Sequence, residues 1–362
     1  MNKMGFGFLR LPQTAGGAIN SDLLNRMVDA FLTRGGVYFD TAYTYLGGQS
    51  ETALRDALVK RHSREQFQIA DKLPSWMVRS AQDCLRYFDE QQKRCGVDYF
   101  DVYLLHWLNQ KNYEICERYD EFAFLRELKA QEKVGKIGFS YHDSAALLDE
   151  ILTAHPETEV VQLQLNYLDW DSAAIEGRKC YEVAVKHGKS VVVMEPVKGG
   201  ALAKLPPKAE ELFQAHNSDS PARWALRFVQ SLDQVDTVLS GMSSLEQVLE
   251  NMENVEPLTE LEQSLIRQAA QIIEEDTAIA CTDCRYCTAA CPKGIPIPDF
   301  FAMYNAYRRN PGEDWKIQPI YQRMASDYAK ASDCIQCGQC ESHCPQQLKI
   351  ISRLKEVAAA FE

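Results

Sequence analysis

No apolar stretch in the sequence is long enough to span a bilayer. Its first residues, MNKMGFGFLRLP, also lack the apolar core and small-residue cleavage site of a secretory signal. Together these absences set the expectation of a cytoplasmic protein without a membrane partner. Basic residues are in deficit: Lys and Arg number 39 against 51 Asp and Glu, for a formal net charge of −12. A nucleic acid or an anionic membrane surface is therefore not expected as a partner. A Gly-rich dinucleotide fingerprint is missing as well. GFGFLRLPQTAGG is not G-x-G-x-x-G, and no helical pattern follows it directly, which excludes the usual start of an open doubly wound sheet. The regular cysteine framework of an extracellular domain is absent too. Of twelve cysteines, eight crowd into two runs near the C-terminus, and Cys84, Cys95, Cys116 and Cys180 stand singly. Reduced thiols are expected, the single ones in the core.

What is present reads as an alternation. Apolar residues make up 46% and charged residues 25% of 362 positions, ordinary for a globular chain. GFGFLRL, VYFDTA, FQIADKL, DVYLLH, IGFSYH, VVQLQLN, SVVVMEP and DTVLSGM read as strands, short and rich in Val, Ile, Phe and Tyr. Helical patterns lie between them, at 22–34, 76–94, 113–132, 172–187 and 219–231. This order predicts an α/β fold, a (β/α)₈ TIM barrel over residues 1–255. A helical connector is predicted over 256–280. Beyond it Cys, Pro and Gly rise, with FFAMYNAYRRN and RLKEVAAAF as short helices. Residues 281–362 are read as a second, small α+β or irregular domain. The interval 292–333 between the two Cys runs is long, and FFAMY and Trp315 are weighed there as either interface or core.

In an α/β barrel the chemistry sits at the C-terminal ends of the strands. Strand two ends with Asp40 and Tyr45, strand three with Asp71 and Lys72, and strand four with His106. These types share one use. A Tyr near pKa ~10 holds a proton for a developing alkoxide; a Lys lowers that value and an Asp fixes the Lys; a His N–H orients a carbonyl. Taken singly, Asp40 reads as a helix cap and His106 as a core histidine, so the set carries the argument.

FDTAYTYLGGQSE, ADK and YLLHW resemble the active-site segments of the aldo-keto reductase superfamily, and the resemblance covers roughly residues 5–255. It implies a tetrad: Tyr45 as general acid/base, Lys72 as its partner, Asp40 as the partner of Lys72, and His106 as the carbonyl orienter. It also implies a nicotinamide dinucleotide, NADP(H) or NAD(H). SGMSSLEQVLEN resembles the segment that grips the adenosine end, through Gly241, Ser243, Gln247, Glu250 and Asn251. With Gly241 and Gln247 where some relatives carry Lys and Arg, preference for NADP over NAD stays open. MEPVKGGAL resembles the loop over the pyrophosphate, which brings in Lys198 and Gly199. Around the nicotinamide, Ser140 and Gln162 are retained, whereas Tyr141 stands where many relatives have Asn, and Met194 where many have Tyr. A flavin at that altered position is the alternative cofactor.

The two Cys runs, CTDCRYCTAACP and CIQCGQCESHCP, both follow C-x₂-C-x₂-C-x₃-C-P, the bacterial ferredoxin pattern for [4Fe–4S] clusters. With two runs, the fourth Cys of each serves the other cluster. One cluster takes Cys281, Cys284, Cys287 and Cys344; the other takes Cys334, Cys337, Cys340 and Cys291. Zinc fits this spacing poorly. Electron transfer is the expected use, and a purely structural role is the alternative. The expected protein is thus an oxidoreductase joining a carbonyl/alcohol-converting barrel to two [4Fe–4S] clusters, with a small-molecule carbonyl or alcohol as substrate. Two alternatives remain: a flavin- or cluster-dependent reductase without nicotinamide hydride transfer, and an idle barrel that docks a redox partner protein as an electron-transfer or scaffold module.

Overall fold

The structure is a computed structural model that describes residues 3–254, 256–309 and 314–362; of Asp314, Trp315 and Lys316 only the backbone is described. Eight strands, β1 (Met4–Gly7), β2 (Tyr38–Asp40), β3 (Gln68–Leu73), β4 (Phe100–Leu108), β5 (Val134–Tyr141), β6 (Val160–Gln164), β7 (Ser190–Met194) and β8 (Val235–Ser240), close into a barrel in sequence order. Every neighbouring pair is parallel, β8 against β1 included. Parallel strands need crossovers long enough to return the chain. These carry α1 (Ser21–Thr33), α2 (Ser50–Leu54), α3 (Ala81–Cys95), α4 (Gln110–Arg118), α5 (Glu121–Ala130), α6 (Ala145–Ala154), α7 (Gly177–Lys186), α8 (Pro207–Gln214) and α9 (Pro221–Gln230). Then α10 (Leu245–Asn251) follows β8.

Tyr38, Ala70, Val102, Leu104, Val160, Val192 and Leu239 form one buried cluster from six strands, the layered filling of a barrel interior. At Gly138 the approach of β5 to β6 is close: a Cβ there would lie 1.8 Å from the Val160 carbonyl oxygen, so only glycine fits.

The element bounds differ from the sequence expectation in instructive places. Strand one stops at Gly7; Phe8 turns out of the ladder while its N–H bonds the Asp40 carbonyl at 2.8 Å. The helical pattern 113–132 is two helices, broken at Asp120, whose φ of 52° lies in the left-handed region that Asp tolerates. The pattern 76–94 begins instead as a 3₁₀ turn, Ser75–Met77, and α3 starts only after Ser80. There Asp83 accepts from the Arg79 N–H at 2.9 Å and the Ser80 hydroxyl at 3.1 Å, which fixes the start. The pattern 172–187 becomes helical only from Gly177.

The compact units are not linear in sequence. One comprises residues 1–172, 176–196 and 223–259; the other comprises 173–175, 197–222 and 260–362. The second unit holds α8, α11 (Glu260–Asp276), α12 (Tyr286–Ala290), α13 (Ile297–Arg309), α14 (Asp314–Asp327), α15 (Gln339–Ser342) and α16 (Ile350–Phe361). Helix α11 starts later than expected, past Pro257, which disfavours helix in the residue before it. No strand follows Ser240 among the described residues, so the expected α+β content reduces to helices and irregular loops. Phe300, Phe301, Tyr304, Tyr321, Ile350, Leu354, Val357 and Phe361 form this unit's own core. Phe300, Phe301 and Tyr304 of FFAMY therefore contribute to this core, while the side chain of Trp315 lies outside the described residues. No described helix is long and apolar enough to cross a membrane.

Candidate active site and thiol cavities

Asp40 ends β2, Lys72 lies in the last turn of pleat of β3, His106 lies near the end of β4, and Tyr45 opens the 3₁₀ turn Tyr45–Gly48. The structure brings these four together. The Lys72 ammonium donates to Asp40 Oδ1 and to the Thr41 carbonyl, both at 2.7 Å. Its nitrogen lies 5.0 Å from the Tyr45 ring centroid. The Tyr45 and His106 rings meet edge-on, 5.7 Å apart at 77°. Pairing of β4 with β5 slips between Leu105 and Leu108, a bulge of the kind that re-aims side chains beside active sites. Trp107, inside that slip, has φ 63° and is held by its N–H donating to Ser140 Oγ at 2.7 Å and its carbonyl accepting from Asn112 at 2.7 Å.

Electrostatics sharpen the roles. Burial, followed by the Lys72 and His142 charges, holds the His106 imidazole well below its usual range, so it is neutral at physiological pH and keeps one N–H. Its Nδ1 has no hydrogen-bond partner. Burial also pushes the Asp40 carboxyl up, against the pull of Lys72. The resemblance implies that Lys72 lowers the Tyr45 phenol; the net shift here is upward. Burial first, then the carboxylates of Asp40, Glu195 and Asp71, push that phenol well above its usual value. Tyr45 thus keeps its proton.

Asp71 does not join Lys72 Nζ, because neighbouring strand residues face opposite sides. Its Oδ1 accepts the Lys72 backbone N–H at 2.8 Å, while its carboxyl lies in a buried group with Glu51 and Cys95, all within 4.8 Å. Burial and then the Glu51 charge raise Asp71 well above the carboxylate range, and Arg94 bonds Glu51 at 2.9 Å. Cys84, Cys95, Cys116 and Cys180 are all buried thiols.

Residues expected to hold a nicotinamide lie on three adjacent strands. Ser140 pairs in register with Gln162, and Gln164 with Met194. The Gln162 Oε1 atom is buried without a partner, an acceptor suited to a carboxamide N–H. Tyr141 instead points outward, its hydroxyl donating to the Ser144 carbonyl at 2.6 Å. At the end of β8, Gln247 Oε1 accepts the Ser243 N–H at 2.7 Å, and the Asn251 amide donates to Ser240 Oγ at 3.1 Å. Glu250 lies on the same short helix, α10. Arg10, unremarked in the sequence, packs here: a Cβ on Gly241 would meet the Arg10 Cβ at 3.1 Å. Lys198 is 4% exposed and donates to Gln346 Oε1 at 2.8 Å, a bond within the second unit, beside Gly199 with φ 64°.

Sequence reasoning missed two further features. Glu195 has φ 56°, with its carbonyl accepting from Asn166 at 3.1 Å, and strained residues of this kind collect at functional sites. Gln164 and Asn166 both donate to Asp169, at 2.9 and 2.7 Å, forming a buried polar cluster after β6. Left-handed Glu195 carries no signature in sequence, since the conformation usually announces itself through glycine.

In the second unit the cysteines line two small cavities. Cys281, Cys284, Cys287 and Cys344 line one; Cys291, Cys334, Cys337 and Cys340 line the other. Ile297 is in the wall of both. Four thiols around one cavity suit a [4Fe–4S] cluster, which is held by four cysteine thiolates. Burial raises the thiols of Cys281 and Cys340 to about 11 and that of Cys287 to about 12 in the metal-free chain. Loading therefore releases protons.

Residues 3–272 match the aldo/keto reductase family, and residues 280–349 match a 4Fe-4S dicluster domain. An NADH-specific methylglyoxal reductase of Escherichia coli is 25% identical over 323 residues, covering 76% of this chain and 96% of its own length. An aldo-keto reductase of Mycolicibacterium smegmatis is 32% identical over 127 residues, so the chain spans 44% of that relative's length. Two solved structures cover 74% of this chain. The holo form of an aldo-keto reductase from Bacillus halodurans aligns with a TM-score of 0.57 at 24% identity over 91% of its length. One from Klebsiella pneumoniae in complex with NADPH aligns with a TM-score of 0.58 at 18% identity over 90%. At these identities the two structures bear on the fold. Neither these relatives nor these structures point to a flavin.

Proposed function

The chain belongs to the aldo/keto reductase family and carries a 4Fe-4S dicluster domain, and from that premise we propose that it interconverts a carbonyl and an alcohol with Tyr45, Lys72, His106 and Asp40, and that its two clusters exchange single electrons with a partner. The observation that carries the barrel half is the convergence of the four side chains, with the buried 2.7 Å Lys72–Asp40 pair under the Tyr45 ring.

Gln162 and Ser140 would hold a nicotinamide, which would supply hydride to a carbonyl carbon. The chain's own residues handle the oxygen. Neutral His106 offers an N–H to orient it. Tyr45 gives its hydroxyl proton to the oxygen as negative charge develops there, and the Lys72 ammonium stabilises the phenolate left behind. The proton is restored from solvent once the product has left. In the reverse direction the Tyr45 phenolate takes the alcohol proton.

The cluster half works in another electron count. Each [4Fe–4S] cluster would supply a one-electron site, so the pair together would hold as many electrons as one hydride carries. The eight thiols around the two cavities would hold them.

One relative is named NADH-specific and acts on methylglyoxal, and one structural neighbour binds NADPH. The test is therefore anaerobic preparation with an iron and sulfide count, fluorescence titration with NADH and with NADPH, and nucleotide oxidation on adding methylglyoxal. Binding of one nucleotide and turnover of a carbonyl are expected. A protein with intact clusters that binds neither nucleotide overturns the reductase reading in favour of an idle barrel.

A further inference from the structure

We propose that the mouth of the second thiol cavity, where Cys337, Ile335 and Lys293 lie and Lys355 bonds the adjoining loop, is a docking surface for a small one-electron carrier protein whose redox centre is ringed by acidic residues. The inference deepens the reading that the clusters exchange electrons and rests on it.

Of the eight thiols around the two cavities, Cys337 is the one exposed. Ile335, in the same cavity wall, is 57% exposed. An aliphatic side chain left in water beside a redox centre gains by being covered, at roughly 25 cal/mol per Å². The first cavity has no exposed thiol among its four.

Charge separates the mouths more sharply. Lys293 lines the second cavity and is exposed. Lys355, also exposed, reaches the loop through Gln336 Oε1 at 3.4 Å. Neither lysine joins an ion pair among the described residues. The nearby carboxylates are tied to backbone N–H groups, Asp333 to Lys330 at 2.8 Å and Glu341 to Ile351 at 2.9 Å. Among the residues that line the first cavity the one cation, Arg285, is matched by Asp283 and Asp299, each at 3.0 Å. A partner at the second mouth therefore meets an apolar centre with a basic rim. The chain's net charge of −12 would repel an acidic carrier at long range. Within a Debye length of about 8 Å at physiological ionic strength, the two lysines dominate. Local complementarity of this kind selects partners and fixes their orientation.

Inward passage has a short route. Ile297 lies in the walls of both cavities, so the two cluster sites are separated by little more than one side chain. The step itself is simple: one electron leaves the reduced carrier and the second cluster takes it. No bond forms or breaks, and no proton moves.

Stopped-flow mixing of the anaerobic, cluster-loaded protein with a reduced acidic flavodoxin tests this, read as bleaching of cluster absorbance. The Lys293→Glu/Lys355→Glu variant is expected to lower the second-order rate at least tenfold, and Ile335→Glu to act in the same direction. Dithionite reduction is expected to stay as in wild type, and Arg285→Glu to leave the flavodoxin rate unchanged. Lys293→Ala/Lys355→Ala, with wild-type iron content, is expected to give a smaller drop. Equal flavodoxin rates for wild type and both double variants overturn the proposal, as does an equal loss in Arg285→Glu. Clusters reduced by flavodoxin at this surface in a protein that turns over no carbonyl would refute the barrel reading and leave the docking surface standing. Clusters that take electrons from neither reductant refute both.

Discussion

The Lys72 ammonium donates to Asp40 Oδ1 over 2.7 Å, with the two side chains 0% and 3% exposed. Charges taken this far from water hold each other in place, and removing one strands the other. Lys72→Met alone is expected to cost about 3–5 kcal/mol of stability. Lys72→Met/Asp40→Asn should cost clearly less than the sum of the two single changes, because it restores neutrality. Anaerobic urea unfolding of the three variants, followed by tryptophan fluorescence, measures the coupling. Strict additivity would refute a direct ion pair.

Tyr45→Phe removes the hydroxyl and keeps the ring against His106. Turnover is expected to fall by about 10²–10⁴, the usual contribution of a positioned acid, with iron content unchanged. Near-normal carbonyl reduction by this variant would remove Tyr45 from the mechanism.

The raised Tyr45 phenol makes the two directions respond differently to pH. Burial and three carboxylates favour the neutral phenol, so reduction, which needs the proton present, should be flat through neutral pH. Alcohol oxidation needs the phenolate and should climb without a plateau to about pH 10, the ordinary tyrosine value. Glu195→Gln takes away one of the repelling carboxylates and should move the alkaline limb to lower pH. Profiles of kcat/KM in both directions decide, and an oxidation profile that levels off near neutrality would contradict the raised phenol.

Asp71 affects stability in the opposite sense to a surface carboxylate. Its folded value is raised, by burial first and then by Glu51. Its contribution is therefore complete below the unfolded value of about 3.9 and declines as pH rises towards the folded one. Asp71→Asn keeps an acceptor for the Lys72 N–H and cannot ionise. Its gain over wild type should grow from about pH 4 to neutrality and reach on the order of 1 kcal/mol. Melting temperatures across that range test it; a constant difference would mean that Asp71 is ionised throughout.

Cys281 and Cys344 lie far apart in sequence and line the same cavity. Cys281→Ser and Cys344→Ser should each remove the same electron paramagnetic resonance signal and about four of about eight iron atoms. The double variant should lose no more. Additive loss of both signals would contradict the crossed grouping.

The barrel was legible in the sequence because its strands are short, β-branched and separated by helical periodicity, and because Asp40, Lys72 and His106 fall at strand ends where position alone carries meaning. The cysteine spacing was legible for a similar reason, since ligand reach fixes it. Other features depend on distant partners. The outward turn of Tyr141 reflects the Ser144 carbonyl waiting for its hydroxyl. The high phenol of Tyr45 reflects carboxylates contributed by β2, β3 and the residue after β7, which no local window contains. Lys198 reads as a phosphate contact through the resemblance of MEPVKGGAL to a pyrophosphate loop, and its bond to Gln346 joins positions 148 apart, beyond any local window. Helix α14 passed unnoticed because Pro319, inside it, reads as a helix stop.

The division of the chain between its units has a consequence for biosynthesis. The second unit takes Val197–Ala222 before the eighth strand is made and is resumed only at Glu260. A ribosome therefore releases part of the iron-binding half while the barrel still lacks its closing strand, and the last thiols, Cys340 and Cys344, emerge long after. A gene fragment beginning at residue 260 would lack Leu202 and Phe213, both fully buried in the complete chain. A single cut between codons therefore does not separate the two units.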